Sequence, residues 1–208
     1  AVPGGVVGVH TGLIAHAQTE GQLASVLTHE LAHLSQDHFS RSVEAAKRAS
    51  FTTITGLLAG IALAAAGESD AATAAILSGQ AAALDSRLRY SRNHEREADR
   101  LGTQTLINAG YDPYEAANMF KKMQGLRRLY GSKTPEFLLT HPVTESRIAD
   151  AESRARQAKT DTQTSLKDSL DYQLIKARIY VNQNRNPIEA IRHYLSLIHI
   201  SEPTRHRL

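Results

Sequence analysis

The stretch LASVLTHELAHLSQDH, residues 23–38, carries the pattern H-E-x-x-H at His29, Glu30 and His33. Residues four apart on a helix differ by only about 40° around its axis, so the two histidines can bind one metal ion. Glu30 is offset from His29 by about 100°, close enough for its carboxylate to accept a proton from metal-bound water. The stretch therefore predicts a helix that carries a metal-dependent hydrolytic site.

The residues around this pattern predict that it is helical. Residues 19–22 have the T-x-x-Q form of a capping box, which begins a helix. An apolar stripe then follows at helical spacing, made of Leu23, Val26, Leu27, Leu31 and Leu34. Glu30 falls within the stripe, where a bound ion would offset the cost of burying its carboxylate. On a continued helix His38 lies about 180° from His29, so we expect it to be a solvated residue and not a ligand.

Residues 84–109 are predicted to form a second helix that brings acidic side chains to the same site. Glu95 and Asp99 lie one turn apart on its apolar face, whereas Glu97 lies about 160° from Asp99 around the axis. Ion pairs with neighbouring arginines are the alternative, but those arginines lie off this face. The pattern therefore selects Glu95 as a third metal ligand and Asp99 as the carboxylate that orients a histidine. A Glu97→Gln change is expected to be nearly neutral.

Composition narrows the class of protein. The chain has 208 residues, a formal net charge of +3 and a pI of about 9.2, with acids and bases interspersed. A positive net charge this small, with acidic and basic residues interspersed, does not predict nucleic-acid binding. The absence of cysteine excludes disulfides and thiolate ligands and fits an oxidising compartment. No signal peptide is recognised, so we expect an N-terminally truncated or processed chain, and residues 196–208 are expected to be a non-native tail.

Three further segments carry structural predictions. Residues 1–14 are rich in valine and predict a strand of a small β-sheet beside the metal-binding helix. Residues 51–66 are uncharged but shorter than the roughly 20 residues that cross a bilayer. We favour a helical hairpin packed against the protein there, over peripheral membrane contact. Residues 168–195 show apolar positions on both sides of a turn, which is typical of one helical, tetratricopeptide-like repeat unit.

Four motifs resemble the HtpX- and BepA-type zinc peptidases, relatives of the CAAX prenyl protease. They are PGGVVGVHTGLI, LASVLTHELAHLSQDH, SRNHEREADRLGTQTLINAGYDP and THPVTESRI, which lie in family order within residues 1–150. The resemblance implies one Zn²⁺ per chain, held by His29, His33 and Glu95. It also implies that Glu30 activates water and that Asp99 supports the site.

The same resemblance implies a loop that faces the metal. His141 would belong to this loop, occupy the open metal position and hold the site shut, and Arg147 would anchor the loop. The repeat-like unit makes the chain most similar to the BepA-like branch, which works in the periplasm of Gram-negative bacteria at the outer membrane. The implied partners are outer-membrane proteins, which such enzymes degrade when stalled and help to assemble, together with their assembly machinery.

These observations predict a mainly α fold with a small β-sheet, in the α+β class. A gluzincin-like metalloprotease domain would cover residues 1–158 and a partial repeat would cover residues 168–195. Two functions stay open: a zinc endopeptidase with Glu30 as general base, or a chaperone or assembly factor with a mainly silent metal site. A structural zinc site normally has four protein ligands, so three ligands and a loop histidine favour a regulated enzyme.

Overall fold

The computed structural model describes residues 5–131, 141–158, 166–183, 188–189 and 191–192. Seven helices are defined within these ranges: α1 (Thr11–His16), α2 (Glu20–Ser35), α3 (His38–Ala65), α4 (Ser69–Asn108), α5 (Tyr114–Tyr130), α6 (Glu145–Ala158) and α7 (Leu170–Gln183). Helix α2 packs against α4 and α5, α6 packs against α5 and α4, and α3 pairs with α4 as a long hairpin. The centre of the fold is thus the crossing of α2 with α4.

Helix α2 begins where the capping box predicted. The Thr19 hydroxyl accepts a hydrogen bond from the Gln22 backbone N–H at 3.1 Å, while the Gln22 side chain accepts from the Gln18 N–H at 2.9 Å. The helix ends at Ser35 because Asp37 adopts a left-handed backbone, with φ of 50°, and α3 begins immediately after it.

This turn overturns the prediction for His38. The prediction assumed one continuous helix, but the left-handed residue Asp37 changes the direction of the chain between His33 and His38. The His38 ring consequently lies inside the protein and is only 3% exposed. The expectation of a solvated histidine is wrong because helical phase cannot be extended through such a turn.

A close approach of two backbones sets α4 against α2. Gly102 of α4 faces His29 of α2, and a Cβ atom on Gly102 would lie 3.0 Å from both N and Cα of His29. Ala98, one turn earlier, is completely buried. Small side chains at these two positions let the helices touch, which brings the acidic face of α4 to the H-E-x-x-H pattern.

The predicted β-sheet is wrong. The ranges given above contain no β-strand or sheet, and the valine-rich segment passes directly into α1 at Thr11. The His10 ring caps this helix, its Nδ1 accepting a hydrogen bond from the Gly12 N–H at 3.0 Å. An extended segment forms a sheet only when another strand pairs with its backbone, and valine content alone cannot supply that partner. The described fold is mainly α.

The predicted helical hairpin is present, but it is not packed under the rest of the protein. Gly56 of α3 and Gly79 of α4 face each other, and a Cβ on either would lie 2.9 Å from the Cα of the other. The outer faces are exposed: Phe51 by 71%, Leu58 by 61% and Leu77 by 59%. Among the described residues, α3 is the one helix whose length and apolar character would allow it to cross a membrane, and only 11% of its most apolar window is buried.

The C-terminal helix α7 is docked on the beginning of the chain. Tyr172 is 5% exposed, and its hydroxyl donates a hydrogen bond to the Ala17 carbonyl at 3.0 Å. The Lys176 ammonium donates to the same carbonyl. Most of the second helix of the predicted repeat unit at 168–195, and all of residues 196–208, lie outside the described residues. The repeat and the non-native tail therefore stay predictions.

Candidate active site

The side chains of the H-E-x-x-H pattern and of Glu95 meet where α2 crosses α4. Nε2 of His29 lies 3.0 Å from Nε2 of His33. One carboxylate oxygen of Glu95 lies 3.3 Å from Nε2 of His33, and the other lies 3.5 Å from Nε2 of His29. The fold thus brings together, from two helices, the three residues that the sequence predicts as metal ligands.

The segment before α6 adds a fourth side chain, that of His141. Its Nδ1 lies 3.0 Å from Oε1 of Glu95 and 3.4 Å from Nε2 of His29, while its Nε2 lies 3.1 Å from Oε1 of Glu30. One ligand atom from each of His29, His33, Glu95 and His141 lies within 4.8 Å of all the others. Ligands at zinc-like bond lengths are spaced by about 3.3 Å in a tetrahedron, so the cluster has the size of a single-ion site.

Asp99 connects this cluster to α6. Its Oδ1 lies 3.0 Å from Nδ1 of His29 and accepts a hydrogen bond from Nη2 of Arg147 at 2.7 Å. Its Oδ2 accepts a second hydrogen bond from Nε of Arg147 at 2.8 Å. Arg147 also donates to the Pro142 carbonyl at 2.8 Å, so one buried guanidinium contacts both the supporting carboxylate and the residue after His141.

The chemistry of these donors fits a cation. A carboxylate only accepts hydrogen bonds, so in a neutral His29 ring the proton lies on Nδ1, beside Asp99, and Nε2 presents its lone pair to the cluster. Glu95 contributes only acceptor oxygens. Lone pairs that converge at such short distances repel one another unless a proton or a metal ion lies between them. Imidazole and carboxylate are ligands of Zn²⁺ and of related divalent ions.

The pKa shifts show how the site distributes charge. Burial would raise the pKa of the Glu95 carboxyl, but hydrogen bonds with the surrounding histidines lower it far below its usual range. Burial lowers the pKa of His33, and the contact with Glu95 offsets only part of this. Burial also opposes protonation of His29, yet its contacts with Asp99 and Glu95 raise its pKa to about 9. The metal-free cluster therefore holds an ionised Glu95 and a proton on His29 that a bound cation would displace.

Glu30 lies beside the cluster, at the edge of an apolar cavity. The Glu30 residue is 9% exposed. The cavity has a volume of about 320 Å³, and its lining includes Val9, Glu30, Leu106, Phe120, Met123 and His141. A cavity of this size can receive a substrate side chain directly next to the Glu30 carboxylate.

Sequence reasoning did not find the polar side chains that lie behind His33, on the side of its ring away from Glu95. Nδ1 of His38 lies 2.8 Å from Nδ1 of His33, and its Nε2 lies 3.0 Å from Oε2 of Glu97. The available sequence signal was Asp37, because aspartate is one of the few residues that adopt left-handed backbone readily and can end a helix between two histidines.

The arrangement of a glutamate between two converging histidines, beside a cavity that can receive a side chain, defines a metallopeptidase. Comparison with known families agrees with this class. Peptidase family M48 matches residues 1–155, and the chain belongs to this family.

Several curated proteins are similar to the chain. The "Putative beta-barrel assembly-enhancing protease" of Vibrio cholerae is 44% identical over 176 residues, which are 85% of this chain and 35% of that protein. The "Beta-barrel assembly-enhancing protease" of Escherichia coli is 37% identical over 187 residues, 89% of this chain and 37% of that protein. The "Mitochondrial metalloendopeptidase OMA1" of Arabidopsis thaliana is 30% identical over 146 residues, 70% and 27% of the two chains.

These similarities confirm the predicted resemblance to BepA-type peptidases and the prediction of a metalloprotease. The chain spans little more than a third of the length of the bacterial relatives.

Proposed function

We propose that the chain is a zinc endopeptidase in which His29, His33 and Glu95 hold one zinc ion. The convergence of their ligand atoms from two helices, at 3.0 to 3.5 Å, is the observation that supports this most. When bound, the metal supplies a Lewis acid that polarises the scissile carbonyl and lowers the pKa of a water molecule to about 7.

Glu30 is the proposed general base. Its carboxylate lines the apolar cavity next to the ligand cluster, where a peptide would lie. In this role it accepts a proton from the attacking water and then passes it to the nitrogen of the departing amine. Asp99 holds the proton of His29 on Nδ1, which keeps the lone pair of Nε2 directed at the cluster.

His141 is the proposed control element. Its ring lies 3.1 Å from Glu30 and 3.0 Å from Glu95, so it takes the space between the general base and the ligand cluster that water and substrate need. Arg147 supports this position through its hydrogen bond to the Pro142 carbonyl. In this proposal His141 keeps the site shut, and its movement would open the site.

We propose that the biological role concerns outer-membrane proteins in the periplasm. The similar bacterial proteins are named for enhancing β-barrel assembly, which supports degradation of stalled outer-membrane proteins and assistance in their assembly. The partial repeat at residues 168–195 would contact the assembly machinery. A chaperone with a mainly silent metal site is the second candidate, and the position of His141 inside the ligand cluster favours it.

Peptide cleavage combined with metal analysis tests the enzyme proposal. Glu30→Gln is expected to retain one zinc ion per chain and to lose cleavage of an unstructured peptide by roughly 10²–10⁴-fold, as removal of a general base does. Glu44→Gln, an exposed glutamate on α3, is the matched control and should behave like the wild type. Loss of zinc from Glu30→Gln would make Glu30 a ligand. If neither the zinc-loaded wild type nor zinc-loaded His141→Ala cleaves the peptide, the chaperone is favoured.

We also propose that the α3–α4 hairpin contacts an anionic lipid surface. Residues 49–67 and 71–84 carry no charged side chain, and both helices expose apolar residues on their outer faces. Such helices are typical of a membrane environment. The base of the hairpin is rich in cations that suit lipid phosphates: Lys47, Arg48, Arg87, Arg89 and Arg92, against Glu44 and Asp85.

Vesicle co-sedimentation tests the lipid proposal. The chain should sediment with phosphatidylglycerol vesicles, less with phosphatidylcholine vesicles, and a Phe51→Ser, Leu58→Ser double variant should stay in the supernatant. These two side chains are exposed, so the substitutions should not unfold the protein. If wild type and variant sediment equally, the hairpin is not the lipid contact. The chain could instead form a dimer in solution, bind no vesicles, and lose the dimer in the double variant. That result would show that the exposed face of the hairpin contacts a second copy of the chain.

A further inference from the structure

A buried histidine outside the proposed ligand set lies against the back of His33. His38 begins α3, and its Nδ1 lies 2.8 Å from Nδ1 of His33, the ring nitrogen opposite the one that faces Glu95. On its other side, Nε2 of His38 lies 3.0 Å from Oε2 of Glu97. We infer that His38 and Glu97 are positioning residues that fix the ring orientation and the tautomer of His33, an inference that rests on the proposed zinc site.

The direction of each hydrogen bond follows from the types of the groups. The Glu97 carboxylate only accepts, so Nε2 of His38 donates to it and carries the ring proton. A neutral imidazole has one N–H, which leaves Nδ1 of His38 as an acceptor. Nδ1 of His33 must then donate to it at 2.8 Å. The remaining nitrogen of His33, Nε2, is left with its lone pair toward the cluster, as a metal ligand requires.

Hydrogen bonds run from His33 through His38 to Glu97, and this chain of three groups is called the relay. Glu97, at its end, is held in place by a further contact. Nη1 of Arg41 donates to the same Oε2 atom at 3.1 Å. The ring of His38 and the guanidinium of Arg41 thus meet at one oxygen of Glu97, which holds the carboxylate as the acceptor for His38.

The plane of the His38 ring is fixed by stacking. The ring of His94 lies parallel to it, with centroids 4.1 Å apart and an angle of 8° between the planes. Ser42 holds His94 through its hydroxyl, 3.3 Å from Nδ1. Stacking prevents rotation of the His38 ring out of line with its two hydrogen-bond partners.

Both histidines of the H-E-x-x-H pattern are thus supported from behind by a carboxylate. Asp99 contacts His29 directly, and Glu97 acts on His33 through one intervening ring. Removal of the acceptor behind His33 would leave its ring free to rotate or to place its proton on Nε2. Either change weakens metal binding without altering any ligand.

Zinc affinity, measured by competition with a chromophoric chelator on the full 208-residue chain, tests the inference independently of cleavage. His38→Phe keeps a ring to stack on His94 but removes both nitrogens, and Glu97→Leu removes the terminal acceptor. Each should weaken zinc binding by about 10–100-fold, the usual effect of residues behind a ligand. Glu97→Gln should keep most of the wild-type zinc affinity, because its amide oxygen still accepts a hydrogen bond from His38. Glu44→Leu is the matched control, because Glu44 is an exposed glutamate on the same helix as His38 and its loss should leave zinc binding like that of the wild type.

The outcomes separate this inference from the proposed function. A wild-type chain that binds no zinc overturns both. If the wild type binds zinc and His38→Phe and Glu97→Leu bind it equally well, the relay has no positioning role while the zinc site stands. If Glu97→Gln loses as much affinity as Glu97→Leu, the tautomer argument fails. Thermal unfolding of the metal-free variants identifies any that do not fold. The Glu97 side chain is 30% exposed, so a substitution there should disturb the fold less than one at the buried His38.

Discussion

The guanidinium of Arg147 binds the carboxylate of Asp99 side-on, with Nε 2.8 Å from Oδ2 and Nη2 2.7 Å from Oδ1. This pair joins α6 to α4 directly behind His29. Because Arg147 also donates to the Pro142 carbonyl, the same contact determines where the residue after His141 lies. The supporting carboxylate of the site and the segment that carries His141 therefore share one anchor.

Replacing Arg147 with methionine should destabilise the protein strongly. The buried Asp99 carboxylate and the largely buried Glu95 carboxylate would lose the guanidinium that pairs with both, and breaking a buried ion pair typically costs about 3–5 kcal/mol of unfolding free energy. Urea denaturation of the metal-free protein measures this loss. Arg128→Met is the matched control, because Arg128 pairs with Glu145 on the surface and should have little effect. A similar small effect at both positions would show that the buried pair does not contribute to stability.

The stability of the metal-free protein should fall in acid because of Asp99. Burial alone would raise the pKa of this carboxyl, but the hydrogen bonds from Arg147 and the contact with His29 lower it below its usual value. A lowered pKa in the folded state gives stability that is complete above the unfolded pKa of about 4 and is lost as pH falls through the folded value. Urea midpoints at pH 7 and pH 3 should therefore differ more for the wild type than for Asp99→Asn. If the two proteins show the same difference in urea midpoint, Asp99 makes only a minor electrostatic contribution to stability.

Glu95→Gln should lose zinc. Among the residues that the structure describes, Glu95 is the one carboxylate whose oxygens face both histidines of the H-E-x-x-H pattern, and an uncharged amide is a much poorer ligand for Zn²⁺. Elemental analysis after dialysis should find well under one zinc ion per chain. Glu97→Gln, two residues away on the same helix, should retain the metal. Full occupancy in Glu95→Gln would remove Glu95 from the ligand set.

His141→Ala should raise basal proteolysis. The His141 ring lies between Glu30 and Glu95, and its removal would open the cluster to water and peptide while His29, His33 and Glu95 keep the zinc ion. Peptide cleavage and self-cleavage, measured together with zinc content, report this directly. His16→Ala, a histidine outside the ligand cluster, serves as the control.

Two other results would contradict the shut-site proposal. Loss of cleavage with zinc retained would make His141 a group that stabilises the transition state. A variant indistinguishable from the wild type would show that His141 does not control access at all.

The sequence by itself determined the elements that carry the site. The H-E-x-x-H spacing, the cap at Thr19 and the apolar stripe identified α2, and helical phase selected Glu95 over Glu97 as the acid that faces His29 and His33. Each of these inferences concerns relations within one helix, where a fixed rotation per residue determines which side chains share a face. Phase also indicated that Asp99 lies behind a histidine, since it is one turn from Glu95.

Only the tertiary structure decided what depends on relations between elements. The left-handed backbone of Asp37 turns the chain so that the His38 ring contacts His33 on the side away from the ligand cluster. Helical periodicity does not extend across such a turn. The valine-rich segment before α1 forms no strand in the described ranges and makes a single bridge at Val6, because sheet formation requires a partner strand that local composition does not contain. The approach of His141 and Arg147 to the cluster depends on the packing of α6 against α4 and α5. Contacts between residues far apart in the chain are determined by packing, which local sequence patterns do not encode.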